Sequence, residues 1–575
     1  MKRKAEQFSL SDPAILIGAL AVVVAVGIAA WRAWTCDDAY ISYRYAKNLI
    51  DGHGLVFNVG ERVEGYTNLL WTLWVAFGLW LHVGPDTWST IWSLLAYGAV
   101  VLLLLSLHLE LRKRLPVTRY TLPLACLVVA LHPEFQIFAT GGLETAAFTA
   151  TAFAGYVVLA RSLTGGVPQP VWCGLLFGLS SMLRPDGMVF AAVAGAALLL
   201  TKPLRPLVIA RYALAVGAFW GGTTAFRLLY YGDYFPNTYY AKSAYLAWHT
   251  QGLAYLRTYA TEYWVLFVAP LALVVAYLQK RGARPSGEPL EPEPNFIRVH
   301  VWLSAAFAAA YTYYVVRVGG DFMFARLLIP VTPYLALLLE LALYRLSLTR
   351  RFAYLELAFV ALAVPIVTPR PVTASEWVDG VADEHDVYSD AFVAAESAHA
   401  EVLRQFFQGL PVRVAFLGTE ARIMYEADVP VAIESETGLT DRRIAHQVLT
   451  KRGRIGHEKR ASPQYLVEER KAHFMLTPSG PELTGVNKVV TPVAIHFGPV
   501  EAWVLYWDPP LMAELARRGA KFTDIGVQLD RYIKSMDSRS DAEVQADYEK
   551  FKRFYFGHVA DPQREGAFRR RLGAG

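Results

Sequence analysis

Between residues 13 and 368 the chain runs again and again through apolar stretches, and a helix needs roughly 17 to 25 such residues to cross a bilayer. The stretches are 13–34, 88–110, 119–134, 143–161, 170–201, 206–229, 263–279, 299–316, 327–346 and 352–368. The 170–201 stretch is long enough to fold back at "RPDG", where Pro185 lacks an amide donor and Gly187 permits a turn. It therefore predicts two short helices meeting at a polar elbow, and about eleven crossings in all. With 54% hydrophobic and 18% charged residues, the composition is that of a polytopic membrane protein. The three cysteines, Cys36, Cys126 and Cys173, lie in or beside apolar segments and predict packing residues with no disulfide framework. No lysine-rich tract interleaved with aromatics points to nucleic acid.

Topology follows from where Lys and Arg fall, because cytoplasmic loops hold them in excess. With "MKRK" inside, "RKRLPVTR" at 112–119 returns inside only if 67–110 contributes a single span. The apolar 67–84 stretch, with Trp71, Trp74 and Trp80, is then an interfacial helix. Arg161 and the basic stretches at 202–205, 279–285 and 348–351 also fall inside. The first stretch reads as an uncleaved span, since no small-x-small site sits cleanly before Asp37. Past Thr368 the apolar runs stop. Residues 1–368 read as a membrane domain and 369–575 as an extracytoplasmic α/β domain, with strands at "VRVAFLG" (412–418), "VPVAIE" (429–434) and "VEAWVLYW" (500–507).

The polar islands gather on the outer side of this topology: "DDAYISYRYAKN" from Asp37, "ATGGLET" at 139–145, "RPDG", "YYGDYFPNTYYAKSAY" at 230–245 and "RVGGDFMFAR" at 317–326. Charged groups near hydrocarbon are costly and tend to be functional. The islands supply the carboxylates Asp37, Asp38, Glu144, Asp186, Asp233 and Asp321, and the cations Arg44, Lys47, Arg184, Lys242, Arg317 and Arg326. Each also has a plainer role: "RPDG" as a turn, the tyrosines of "NTYYAKSAYL" as an interfacial belt, "GGDF" as a loop. Acids, cations and aromatics at an outer membrane surface suit sugar transfer from a polyprenyl-phosphate donor. There a carboxylate takes the acceptor proton, Arg or Lys steadies the departing phosphate, and aromatics stack on sugar faces.

Asp37 and Asp38 are the candidates for the base. In an extended segment the pair points to opposite sides, one facing the site as the base and the other orienting it or, if "AYISYRYAKN" is helical, holding Arg44 or Lys47. Arg44, Lys47, Arg184, Asp186, Asp233, Asn237, Tyr239, Lys242, Asp321 and Arg326 are the candidates for donor phosphate and sugar. The basic "KRGRIGHEKR" loop offers Arg454, His457 and Lys459 to an acceptor or to the lipid phosphate. Asp37, Asp38 and Asp321 are hard oxygen ligands of the kind a divalent cation takes, but no dense ligand motif accompanies them.

"DDAYISYRYAKNLIDGHGLVFNVGERVEGYTNLLW", "GGLET", "LRPDG", "GDYFPNTYYAK", "GGDFMFARLLIP" and "GLTDRRIAHQVLTKRGRIGHEKRASPQYL" resemble the GT-C superfamily of polyprenyl-phosphate-dependent glycosyltransferases. Within it they look most like the terminal β-(1→2)-arabinofuranosyltransferase group. The resemblance runs from residue 37 to about residue 466. It implies a multi-pass protein of the bacterial inner membrane with a catalytic acid in the first outer loop, at Asp37 or Asp38. It also implies a polyprenyl-phosphate sugar donor, arabinofuranose first, and a glycan or lipid-linked acceptor. A lipid-linked sugar flippase and an envelope assembly scaffold are the competing classes. A flippase would show repeats and several broken helices, and a scaffold has no need of converging acids.

Overall fold

The computed structural model describes residues 12–114, 122–201, 203–268, 271, 295–347, 379–417, 420–476 and 493–573. The spans expected over most of 263–279 and over 352–368 lie outside these residues, as does the expected domain boundary at 368/369. The chain divides into two compact units. One takes Met1–Ser42, Thr67–Phe235 and Ala244–Tyr388; the other takes Tyr43–Tyr66, Pro236–Ser243 and Ser389–Gly575. The second unit thus adds two segments from the N-terminal half to the C-terminal one.

The first unit is helical. Among the described residues, four of its helices are long and apolar enough to cross a membrane: Pro13–Trp31, Pro85–Arg114, Thr145–Leu163 and Asn295–Val318. Proline opens several helices at the position where a missing amide costs nothing, as at Pro13, Pro85, Pro170 and Pro206. The Pro13–Trp31 helix is apolar all round, and one stripe of small residues decides its packing: Ala14, Gly18, Ala21, Ala25 and Ala29 are buried, while Leu16, Leu20 and Val23 are exposed. A Cβ on Gly18 would stand 2.5 Å from Leu105, so the stripe lets the Pro85–Arg114 helix approach closely. The three cysteines are free and buried, as expected.

The elbow forms as read, with helices Pro170–Leu183 and Gly187–Leu200 on either side of Arg184, Pro185 and Asp186. Gly187 is required there, because a Cβ would meet the Ser180 backbone at 2.7 Å. The 67–84 stretch is a helix over Leu69–Trp80. The span expected over 119–134 is not one helix. Leu124–Ala130 ends, and Pro133 starts a second short helix capped by His132, whose Nδ1 accepts from the Phe135 amide at 3.2 Å. Proline cannot supply the amide that would carry the first helix on.

Among the described residues the second unit is built on a six-stranded sheet: β1 Arg413–Phe416, β2 Val431–Glu434, β3 Phe474–Leu476, β4 Ala494–Phe497, β5 Val500–Val504 and β6 Lys521–Phe522. Its order is β2-β1-β3-β5-β4-β6. β1 pairs in parallel with β2 and β3, with Phe416 opposite Glu434 and Leu476, and the other pairings are antiparallel. The apolar strands β1 and β3 are buried, as parallel strands covered on both faces must be. Helices Pro509–Arg517, Ile525–Ser535, Asp541–Phe551 and Pro562–Arg571 complete the unit.

Candidate active site

In the first unit the sequence islands converge as helix ends and turns. Asp37 and Asp38 open the Asp37–Ile50 helix and occupy its first turn, so the extended segment expected there is replaced by helix. Adjacent side chains on a helix diverge by about 100°, not to opposite faces. Asp37 is buried at 3% exposure, whereas the Asp38 side chain keeps 18% and lies 3.8 Å from Arg326. Carboxylates also favour a helix N-terminus, where unpaired amides present positive charge.

Arg326 is the centre of the cluster. Its nitrogens lie 3.5 Å from Asp321, 3.8 Å from Asp38 and 3.9 Å from Glu144; among the described residues its one nearer polar contact is Met323 Sδ at 3.3 Å, and its Nε has no hydrogen-bond partner. A buried guanidinium usually has short, directed bonds. Here none of the carboxylate contacts is short. The turn that delivers Asp321 needs Gly319 and Gly320, at φ 95° and 76°, a conformation glycine alone adopts freely.

Arg184 is bonded quite differently. Its Nε and Nη2 donate to Asp186 at 3.0 to 3.2 Å and its Nη1 donates to Glu144 at 3.2 Å. Asp186 also accepts from the Tyr311 hydroxyl at 2.5 Å. Glu144, 2% exposed, accepts from Asn68 Nδ2 at 2.8 Å, and Asn68 Oδ1 accepts from Ser42 and Thr72 at 3.1 Å. Ser42 stands one turn along the helix from Asp38. A continuous polar chain therefore runs from the helix carrying Asp38 through Asn68 and Glu144 to the elbow. Asn68, Ser42 and Tyr311 were not singled out in the sequence; Asn68 sits in "GYTN" ahead of a helix, where it reads as an ordinary cap.

The remaining candidates fall elsewhere. Asp233 is half-buried in the first unit, its Oδ1 accepting from the Tyr234 amide at 2.8 Å in a local turn. Arg44, Lys47, Asn237, Tyr239, Lys242, Arg454, His457 and Lys459 belong to the second unit. The expected pairing of Arg44 or Lys47 with the two acids is replaced by other partners. Arg44 donates to the carbonyls of Phe57, Met424 and Val429 at 2.8, 2.6 and 2.5 Å. Burial brings its pKa down to about 10, so it stays charged at neutral pH. Lys47 bridges Asp51 at 3.1 Å and Asp428 at 2.9 Å; burial opposes its charge, but these bonds outweigh it and its pKa is raised. Asn237 donates to the carbonyls of Gly438 and Leu439 at 2.9 and 2.7 Å, and Lys459 donates to those of Tyr240 and Ala445. Tyr239 is half-buried edge-on to Tyr240, Lys242 and Arg454 are exposed, and His457 Nδ1 lies 3.1 Å from the Ile455 carbonyl.

For a divalent cation, Asp38 and Asp321 are poorly arranged. Both face Arg326, whose charge opposes a second cation between them. Among the described residues, the ligand atoms that converge within 4.8 Å are those of Asp383, His385 and Asp386.

The apolar helices and this cluster define a multi-pass membrane protein with an acid and guanidinium site gathered from the ends of several helices. The chain is similar to the terminal β-(1→2)-arabinofuranosyltransferase of Mycobacterium tuberculosis, with 32% identity over 343 residues, 54% of this chain and 52% of the relative. It is also similar to the enzyme of that name from Corynebacterium glutamicum, with 29% identity over 363 residues, 58% of this chain and 52% of the relative. These relatives bear out the resemblance read from the motifs. The chain spans about half the length of the curated relatives it matches. No family model matches. Among solved structures it is similar to ArnT from Cupriavidus metallidurans bound to undecaprenyl phosphate, with TM-score 0.47, 11% identity, and 74% of this chain and 86% of that chain covered. The apo form of the same protein gives 0.46, 11%, 80% and 92%.

Proposed function

We propose that this chain is a membrane glycosyltransferase. It moves a sugar, arabinofuranose as first choice, from a polyprenyl-phosphate donor to a cell-envelope glycan. The reaction takes place on the outer face of the bacterial inner membrane, where the C-terminal domain also lies. The carrying observation is Arg326, a buried guanidinium that, among the described residues, has carboxylates only at 3.5 to 3.9 Å and an Nε without a hydrogen-bond partner. A phosphate oxygen supplies the short, charge-assisted bonds such a group lacks. Asp38, on the same guanidinium, is the base: its carboxylate takes the proton of the acceptor hydroxyl as that oxygen bonds to the anomeric carbon. The bond from anomeric carbon to phosphate oxygen breaks, its electron pair stays on the phosphate, and Arg326 stabilises the charge that develops. Arg184 acts at one remove, fixing Glu144 and the elbow.

Single-turnover transfer from a polyprenyl-phosphate sugar by purified Asp38→Asn and Asp37→Asn proteins tests the reading. A base contributes typically 10²–10⁴-fold in rate, so Asp38→Asn is expected to lose that much with donor affinity nearly intact, and Asp37→Asn to lose less. Near-normal turnover in both would remove the first-loop base. The orientation is checked by an impermeant thiol reagent on sealed cells, which should label cysteines placed at the exposed His53 and Ser389 but not at Gly287.

A further inference from the structure

The second unit holds a cleft of about 610 Å³ that the transferase reading leaves unused. Ligand sites commonly measure about 300–1,000 Å³. Every wall comes from this unit: the later turns of the Asp37–Ile50 helix and the loop after it, the end of the Asp390–Phe407 helix, and the turn before β2. The floor is rigid, because Arg44 is fixed to its three carbonyls and Asn48 Nδ2 donates to those of Val56 and Phe57 at 2.8 and 2.9 Å. A site whose floor is already ordered loses less entropy when a ligand enters.

The rim identifies the class of ligand. Lys47 stands between Asp51 and Asp428, and Arg404 and Gln405 both bond Glu401, the latter at 3.1 Å. With Arg44 counted, the cleft holds three cations, Arg44, Lys47 and Arg404, against three carboxylates, Asp51, Glu401 and Asp428, so no positive surplus remains to draw a phosphate or sulfate. Asp51, Asp428, Glu401 and Arg404 have side chains at least 43% exposed, so each can exchange water for a ligand. Carboxylates, amides and cations in close alternation meet the needs of hydroxyls, each of which donates and accepts at once. Val59, 53% exposed, gives the cleft an apolar side for sugar C–H faces.

We propose that this cleft binds a neutral oligosaccharide, as a glycan-holding site built from residues other than the acids of the first unit. The choice of glycan rests on the transferase reading; the cleft itself does not.

The test uses the full chain in detergent and isothermal titration with a linear arabinofuranose hexasaccharide, a glucose hexasaccharide and a sulfated heparin hexasaccharide. Hydrogen exchange locates the bound sugar. A neutral hexasaccharide is expected to bind and to protect residues 401–410 and 427–430. The double variant Glu401→Ala/Gln405→Ala should weaken it about tenfold, the equivalent of one or two hydrogen bonds. Asp428→Asn should weaken it less while keeping a residue that tolerates the φ of 50° at this position. Three results would each overturn the proposal: no neutral sugar binds, binding stays within twofold in folded variants with no protection at the cleft, or the sulfated sugar binds tighter. Failure of the transferase reading looks different, as normal turnover in Asp38→Asn beside unaltered cleft binding.

Discussion

Replacing Arg326 and Arg184 by lysine, one at a time, separates a ligand-binding cation from a structural one. Lysine keeps the charge and removes the planar fork. At Arg184 the fork makes contacts of 3.0 to 3.2 Å to Asp186 and Glu144, two carboxyl side chains that are 2% and 3% exposed. A single ammonium cannot span both, and breaking a buried pair costs about 3–5 kcal/mol. At Arg326 no carboxylate contact shorter than 3.5 Å is lost, so the fold should change by about 1 kcal/mol or less. A phosphate held by the fork would lose one charge-assisted hydrogen bond of about 1.5–3 kcal/mol, roughly ten- to hundredfold in donor affinity. Thermal unfolding followed by size-exclusion and steady-state kinetics with a polyprenyl-phosphate sugar read the two quantities separately. Arg184→Lys should lower the transition and leave little folded protein, while Arg326→Lys should fold normally and raise the donor KM. The reverse pattern, a stable Arg184→Lys with poor donor affinity beside an unstable Arg326→Lys, would refute the assignment.

Asn68→Ala removes the link between Ser42 and Glu144; turnover should fall about tenfold or more, with donor KM changing less, and Asn68→Asp should not restore it, since a carboxylate would face Glu144. In the second unit, His473 Nδ1 accepts from the Arg413 amide at 3.0 Å, and burial pulls its pKa from 6.5 to about 4. The unfolded chain takes a proton the folded one refuses, so stability present above pH 6.5 is lost as pH falls towards 4, by about 3 kcal/mol in all. Hydrogen exchange at β1 and β3 across that range should show it, and His473→Asn, which keeps an acceptor, should flatten it. Gly252→Ala should destabilise the first unit by about 2 kcal/mol or more, because its Cβ would collide with the Val316 backbone; a normal thermal transition in that variant would contradict the close approach of the helices His249–Glu262 and Asn295–Val318.

The periodic and long-range parts of this protein were unequally legible. Within the described residues, the apolar spans other than the broken 119–134 stretch, the elbow at Arg184 to Gly187 and the strands at β1, β2 and β5 follow from composition, from proline and glycine, and from β-branched runs, all local properties. β3 and β6 carry no such signal, since two or three residues give no usable period, and β4 is interrupted by the exposed His496. The site was legible as a set of residue types and not as an assembly. Arg44, Asn237 and Lys459 look like ligand-binding groups in a list of polar residues, yet each spends its donors on backbone carbonyls in a sheet-bearing unit that local sequence does not reveal. The sequence allows a helix over "AYISYRYAKN", but its start at Asp37 is not legible, because an acid pair after an apolar run reads equally as a loop and as a first helical turn.

The elbow also bears on how such a chain enters a bilayer during synthesis. Arg184 and Asp186 are two residues apart and neutralise one another without help from any later segment. Their hairpin can therefore be inserted with its charge already cancelled, long before Tyr311 has been made. Asp37, Asp38 and Glu144 precede it in the chain, so the order of translation delivers three acids first, then the self-compensated pair, and only afterwards Arg326. Had Arg184 been partnered solely by a downstream carboxylate, the hairpin would have had to wait in the membrane with an uncovered guanidinium at its tip.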